Sequence, residues 1–164
     1  MGPPFAGGLS GPLLVLDSVK EGRCAVRTAI AGLEPEVQAQ LAALDTRRAD
    51  IARRYIKRLR LEPYLGHRLT RGLLASEECR AVYFDRDSRP DDLFGGARVP
   101  RRRGDEDPSA GPGYRVVYRL LEARRSDVRV VQVLGVGRAH VDPGEDAVYV
   151  HAARLLERLN WRTR

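Results

Sequence analysis

Two strand-like runs near the C-terminal end constrain this chain more than any other feature. Tyr114-Arg115-Val116-Val117-Tyr118-Arg119-Leu120-Leu121 is rich in β-branched and aromatic residues, and Val128 to Val136 is almost continuously apolar. Only a short polar connection, Ala123–Asp127, lies between them. Such a pair reads as a hairpin in the middle of a sheet.

The remaining segments add helices and shorter strands. Ala25-Val26-Arg27-Thr28-Ala29-Ile30 reads as a short strand. Pro35 then stands at a favoured first helical position, and Val37, Leu41 and Leu44 follow at helical spacing. Asp45-Thr46 breaks the pattern, with Thr46 as the expected cap of a second helix. That helix places Ile51, Tyr55 and Leu59 on one face and Arg47, Arg48, Arg53, Arg54, Lys57, Arg58 and Arg60 on the others, ending at Glu62-Pro63. The two helices form a hairpin. Residues 64–77, with Gly66 and Gly72, read as an irregular loop, and Cys79–Phe84 as a strand. Residues 85–113 mix acids, arginines, glycines and prolines, as expected of a long, mobile, charged insertion. A closing helix from about Asp146 to Leu159 carries Val148, Ala152, Leu155, Leu156 and Leu159. Residues 1–22 hold four glycines and three prolines among the first twelve and read as a flexible arm. The expected architecture is α+β with a mainly antiparallel sheet, in one domain over residues 23–160.

Charge narrows the partners. The net charge is +7, from 29 Lys+Arg against 22 Asp+Glu, and Lys20 and Lys57 are the only lysines. A surface of this sign attracts polyanions or acidic proteins. No apolar run is long enough for a membrane span, and the first residues lack the pattern of a secretory signal, so a cytoplasmic location is expected. Cys24 and Cys79 then read as free thiols. His67, His140 and His151 have no metal-ligand spacing with each other or with the cysteines, Gly135-Val136-Gly137 lacks the third glycine of a dinucleotide loop, and no metal or cofactor is called for.

The order strand, helical hairpin, twisted sheet and C-terminal helix resembles the RelE/ParE toxins. Gly113-Tyr114-Arg115-Val116-Val117-Tyr118 is similar to that family's G-Y-R-hydrophobic-hydrophobic-Y strand. Val130–Gly137 with Arg138 resembles its V-x-V-hydrophobic-x-V-G-basic strand end, Val148-Tyr149 its closing V-Y, and Leu61-Glu62-Pro63-Tyr64-Leu65 with Leu69 its link after the hairpin. The resemblance covers roughly residues 23–160, outside the arm and the insertion. It implies a toxin held inactive by a cognate antitoxin. One branch of the family cleaves messenger RNA on the ribosome, and the other inhibits DNA gyrase without cleaving nucleic acid.

Metal-independent RNA cleavage requires a 2′-OH to lose a proton and attack the adjacent phosphorus while the phosphorane charge is neutralised. Arginine suits that neutralisation because it stays charged and donates through a fork. The resemblance assigns catalysis to Arg115, with Arg138, His140 and Tyr149 beside it, and RNA contacts to Arg80, Arg119, Arg53, Arg54 and Lys57. The expected function is therefore a ribosome-dependent messenger RNA endoribonuclease; the alternative, which departures from the family pattern favour, is a non-catalytic binder, either gyrase-directed or engaging only its antitoxin. The strand Arg80-Ala81-Val82-Tyr83 carries no lysine, Arg138 is followed by Ala139, and Val141–Glu145 lengthens the gap to Tyr149. The nuclease reading requires the four catalytic candidates on one concave face, and it fails if Arg115 points into the core or away from Arg138.

Overall fold

The structure, a computed structural model, describes residues 26–91, 113–122, 127–139 and 147–163. The N-terminal arm, His140 and most of the charged insertion lie outside the described residues. Among the described residues five strands form one mixed sheet in the order β1-β5-β4-β3-β2. The two runs that dominate the sequence are its centre: β4 (Tyr114–Glu122) and β5 (Val128–Arg138) pair antiparallel along their length. Edge strand β1 (Arg27–Ile30) runs parallel to β5, whereas β3 (Arg80–Phe84) is antiparallel to β4 and β2 (His67–Arg68) antiparallel to β3. Four helices accompany the strands among the described residues: α1 (Pro35–Ala43), α2 (Thr46–Arg58), α3 (Gly72–Ser76) and α4 (Val148–Arg162).

Cross-strand partners share a face of the sheet, and successive residues alternate. Phe84, Tyr114 and Arg138 form one row, and Val82, Val116 and Val136 the next. This face meets α2, where the Tyr55 ring lies 6.4 Å from Phe84 and the Arg48 guanidinium 4.4 Å from the Tyr114 ring. The neighbouring rows, Tyr83–Arg115–Gly137 and Ala81–Val117–Gly135, face α4. Gly135 makes that approach close: a Cβ there would stand 3.1 Å from Val148 Cγ2. A bulge between Val117 and Tyr118 shifts the register, so that Tyr118 pairs with Val133. Helix α1 serves the stretch of β5 beyond β1, with the Val136 N–H donating to Gln40 Oε1 at 2.9 Å. Both faces are sealed by apolar side chains, including Val37, Leu41, Tyr55, Leu59, Val116, Val117, Leu155 and Leu156.

Several boundaries differ from the sequence expectation. Asp45, not Thr46, caps α2, and its carboxylate accepts from the Arg48 N–H at 3.2 Å. Extended backbone at Asp45 aims its short side chain at the helix start. Residues 64–77 are more than a loop, because β2 and α3 form there. Two positive-φ residues, Gly72 at 63° and Glu78 at 55°, frame the short α3. Segment 85–91 of the expected mobile insertion is pinned to α2 by hydrogen bonds.

Cys79 is fully buried, and desolvation pushes its thiol up to about 11. A Cys24→Ser variant should therefore resist a thiol-modifying reagent at pH 8 in the native state and react at once in denaturant, because the thiolate is the reactive form. Absorbance-monitored labelling with and without denaturant checks this.

Candidate functional site

The strongest cluster of chemistry-bearing side chains lies on the α4 face of the sheet, towards one end of β4. Its centre is Arg115, held half-buried between Tyr83 on β3 and Gly137 on β5 by the strand register. The guanidinium carbon sits 3.8 Å from the Tyr83 ring centroid, a close cation–π contact. Nη1 donates to the Tyr114 carbonyl at 2.9 Å, which fixes the plane of the fork. The first turn of α4 brings Tyr149 to the same place. Burial raises the Tyr149 hydroxyl above the ordinary tyrosine value, while the charge of Arg115 and a hydrogen bond with its side chain pull the other way. His67 on β2 extends the cluster outward, its ring stacked on Tyr83 with centroids 5.3 Å apart and planes at 28°. The His67 Nε2 is shielded from solvent and has no hydrogen-bond partner among the described residues.

The four catalytic candidates do not assemble as the sequence suggests. Arg115 and Tyr149 come together. Arg138 pairs in register with Tyr114, one position from Gly137, and so leaves the sheet on the α2 face, opposite to Arg115. His140 lies outside the described residues. Tyr83 and His67 join the site without having been singled out. Tyr83 stood in a recognised strand, but only the register puts it opposite Arg115, and His67 was hidden in a stretch read as a loop.

The expected RNA-contacting arginines also divide. Arg80 lies on the α2 face, donates to the Gly66 carbonyl at 2.8 Å and stands 4.9 Å from the Tyr64 ring centroid. Arg119, expected among the RNA contacts, is instead buried at 6% exposure in a network of polar side chains. Its Nε donates to Gln132 Oε1 at 2.8 Å and its Nη1 to Asn160 Oδ1 at 3.1 Å, with Glu77 at 3.6 Å. Arg53 and Lys57 are exposed on α2, and Arg54 is engaged by Asp50 at 3.0 Å and Asp91 at 2.7 Å.

A cavity of about 540 Å³ lies between α1 and α4 and includes Glu36, His151, Arg158 and Trp161 but none of the Arg115 cluster. Among the described residues no group of three or more His, Cys, Asp or Glu side chains is arranged to hold a metal, and no helix is long and apolar enough to cross a membrane. No known protein family matches the chain, and neither does any curated protein or any solved structure.

Proposed function

We propose that this chain is a non-cleaving member of the RelE/ParE toxins, a toxin-fold binder held by a cognate antitoxin. The observation that carries this reading is the separation of Arg115 from Arg138 on opposite faces of the sheet. In-line attack on a phosphodiester builds charge on the phosphorane, and converging cations are the means of neutralising it without a metal. On the α4 face Arg115 donates to a backbone carbonyl, packs on Tyr83 and meets Tyr149. That arrangement favours an Arg115 that organises a binding surface and gives it one fixed positive charge. Gyrase or the antitoxin alone then becomes the partner, and messenger RNA is not a substrate.

A second reading has its own support. Arg115, Tyr149 and His67 bring a phosphate fork, a phenol and an imidazole to one place, a smaller set that still suits 2′-OH attack. It keeps the ribosome-dependent endoribonuclease, with messenger RNA on the ribosome as its target.

Induced expression with 5′-end mapping of cellular transcripts separates the two. The proposal expects intact transcripts, with or without growth arrest. New 5′ ends in translated regions that disappear in Arg115→Ala and Tyr149→Phe variants would overturn it in favour of the nuclease.

A further inference from the structure

Helix α4 covers the sheet with one side only. Val148, Ala152, Leu155, Leu156 and Leu159 form that side and are buried. The opposite side is a ridge of four exposed residues, Val150, Arg154, Glu157 and Trp161, at i, i+4, i+7 and i+11. Trp161 is 78% exposed and Val150 39%. A tryptophan standing this far out of a folded surface offers a partner a large apolar contact, and tryptophan and arginine dominate the energetics of interfaces. On the flank towards α1 the charges of α4 are engaged within the chain, Arg158 by Glu36 at 2.6 Å and Arg162 by Glu34 at 3.7 Å. Glu157, on the ridge, has no hydrogen-bond or ion-pair partner among the described residues.

The ridge is self-complementary. Its order is apolar, cation, anion, apolar. Laid antiparallel against a second copy, about a two-fold axis midway between Arg154 and Glu157, every residue meets its complement. Val150 packs on the second copy's Trp161, and Arg154 faces the second copy's Glu157, each contact being made twice. A parallel arrangement would set arginine against arginine and glutamate against glutamate, which repel. Such a pattern is what a two-fold interface between identical chains requires. The rest of the molecule discourages self-association, because a net charge of +7 makes copies repel. The ridge itself sums to zero charge and so is a place where two copies can approach.

We propose that the outer ridge of α4 is the interface of a symmetric, antiparallel homodimer, with Trp161 as its anchor and the Arg154–Glu157 pairs as its register. The ridge spans about 16 Å of helix, so the interface is at the small end of specific contacts and the dimer exchanges with monomer at micromolar concentrations. Tyr149 meets Arg115 on the sheet side of the same helix. Dimerisation therefore leaves that cluster in place, for a binder and a nuclease alike.

Sedimentation velocity of the full chain, from micromolar to sub-millimolar concentration, tests the interface. The parent should shift reversibly from monomer to dimer. Trp161→Ala should weaken association about tenfold or more. Glu157→Arg sets Arg154 against a second arginine, and Arg154→Glu sets Glu157 against a second glutamate, so each variant alone should stay monomeric. Mixed together, those two variants should pair with each other, and a chain carrying both substitutions should regain the parent's dimer, because the exchange preserves complementarity. Thermal melting of Trp161→Ala and Glu157→Arg in dilute solution should match the parent, since both side chains are exposed. A parent that is monomeric at every concentration would overturn the proposal and leave the ridge to a different protein. A dimer indifferent to Trp161→Ala and Glu157→Arg, or charge variants that do not recover one another, would overturn it equally.

Discussion

Replacing Gly66 with alanine should destabilise the protein by about 3 kcal/mol, at the upper end of the range for overpacking a filled interior. A Cβ at this position would stand 2.9 Å from Tyr118 Cε1 and 3.0 Å from both the carbonyl carbon and the oxygen of Ala81. Two of those atoms are backbone in β3 and cannot swing aside. The third belongs to a fully buried ring whose hydroxyl donates to the Pro63 carbonyl at 2.8 Å and accepts from the Gly66 N–H at 3.0 Å. Moving Gly66 away would break that bond and the Arg80 contact to its carbonyl together. The segment between α2 and β2 is thus tied to the sheet at a single crowded point. Thermal unfolding should show a loss of about 10 °C in Tm for a chain of this length. Tyr118→Phe, which keeps the ring and removes only the hydroxyl, should lose about 1–2 kcal/mol by leaving both backbone groups without a partner.

Arg119→Ala should cost about 3 kcal/mol, because it empties a buried position and strands the polar groups that surround it. Gln132 on β5 and Asn160 on α4 each lose a donor, and Asn160 Nδ2 retains only its 3.3 Å contact to Glu77. Glu77 is 37% exposed and can be rehydrated, which keeps the loss below that of a fully enclosed pair. Arg119→Met fills the space with an apolar stem and should recover most of the loss. Chemical denaturation of the three proteins measures the difference. An Arg119 that served nucleic acid would behave differently, with binding weakened and stability left near its original value.

The sheet was legible where pattern and burial coincide. β4 and β5 are buried through their central stretches, so their nearly continuous apolar composition announces them. Helices α1 and α2 were equally plain, since Val37, Leu41, Ile51, Tyr55 and Leu59 follow helical spacing and all are buried. β2 and α3 were not, because two residues and five residues are too short to develop a period, and their positions depend on pairing with β3 and packing under α4. The site was half legible. Arg115 and Tyr149 were named from their strand and helix positions, and they meet. Arg138 was named from its place at the end of a strand that resembles the family's, but side-chain alternation sends it through the other face, a fact that only the register of β4 on β5 supplies. Arg119 looked like a sheet-surface arginine because the sequence does not reveal that Gln132 on β5, Asn160 on α4 and Glu77 just after α3 converge on it. The hairpin arginines were likewise legible only as the outer faces of a helix, whereas contacts bridging more than thirty residues tie Arg47, Arg54 and Arg58 to segment 85–91.

A double-mutant cycle on stability tests most directly whether Arg115 belongs with Tyr149 and apart from Arg138. Unfolding free energies of Arg115→Ala, Tyr149→Phe, Arg138→Ala and the two doubles that contain Arg115→Ala complete it. The expected result is a coupling of about 0.5–1 kcal/mol between Arg115 and Tyr149, and additivity within about 0.5 kcal/mol between Arg115 and Arg138. Strong coupling of Arg115 to Arg138, with none to Tyr149, would contradict the arrangement and restore the four-residue nuclease centre.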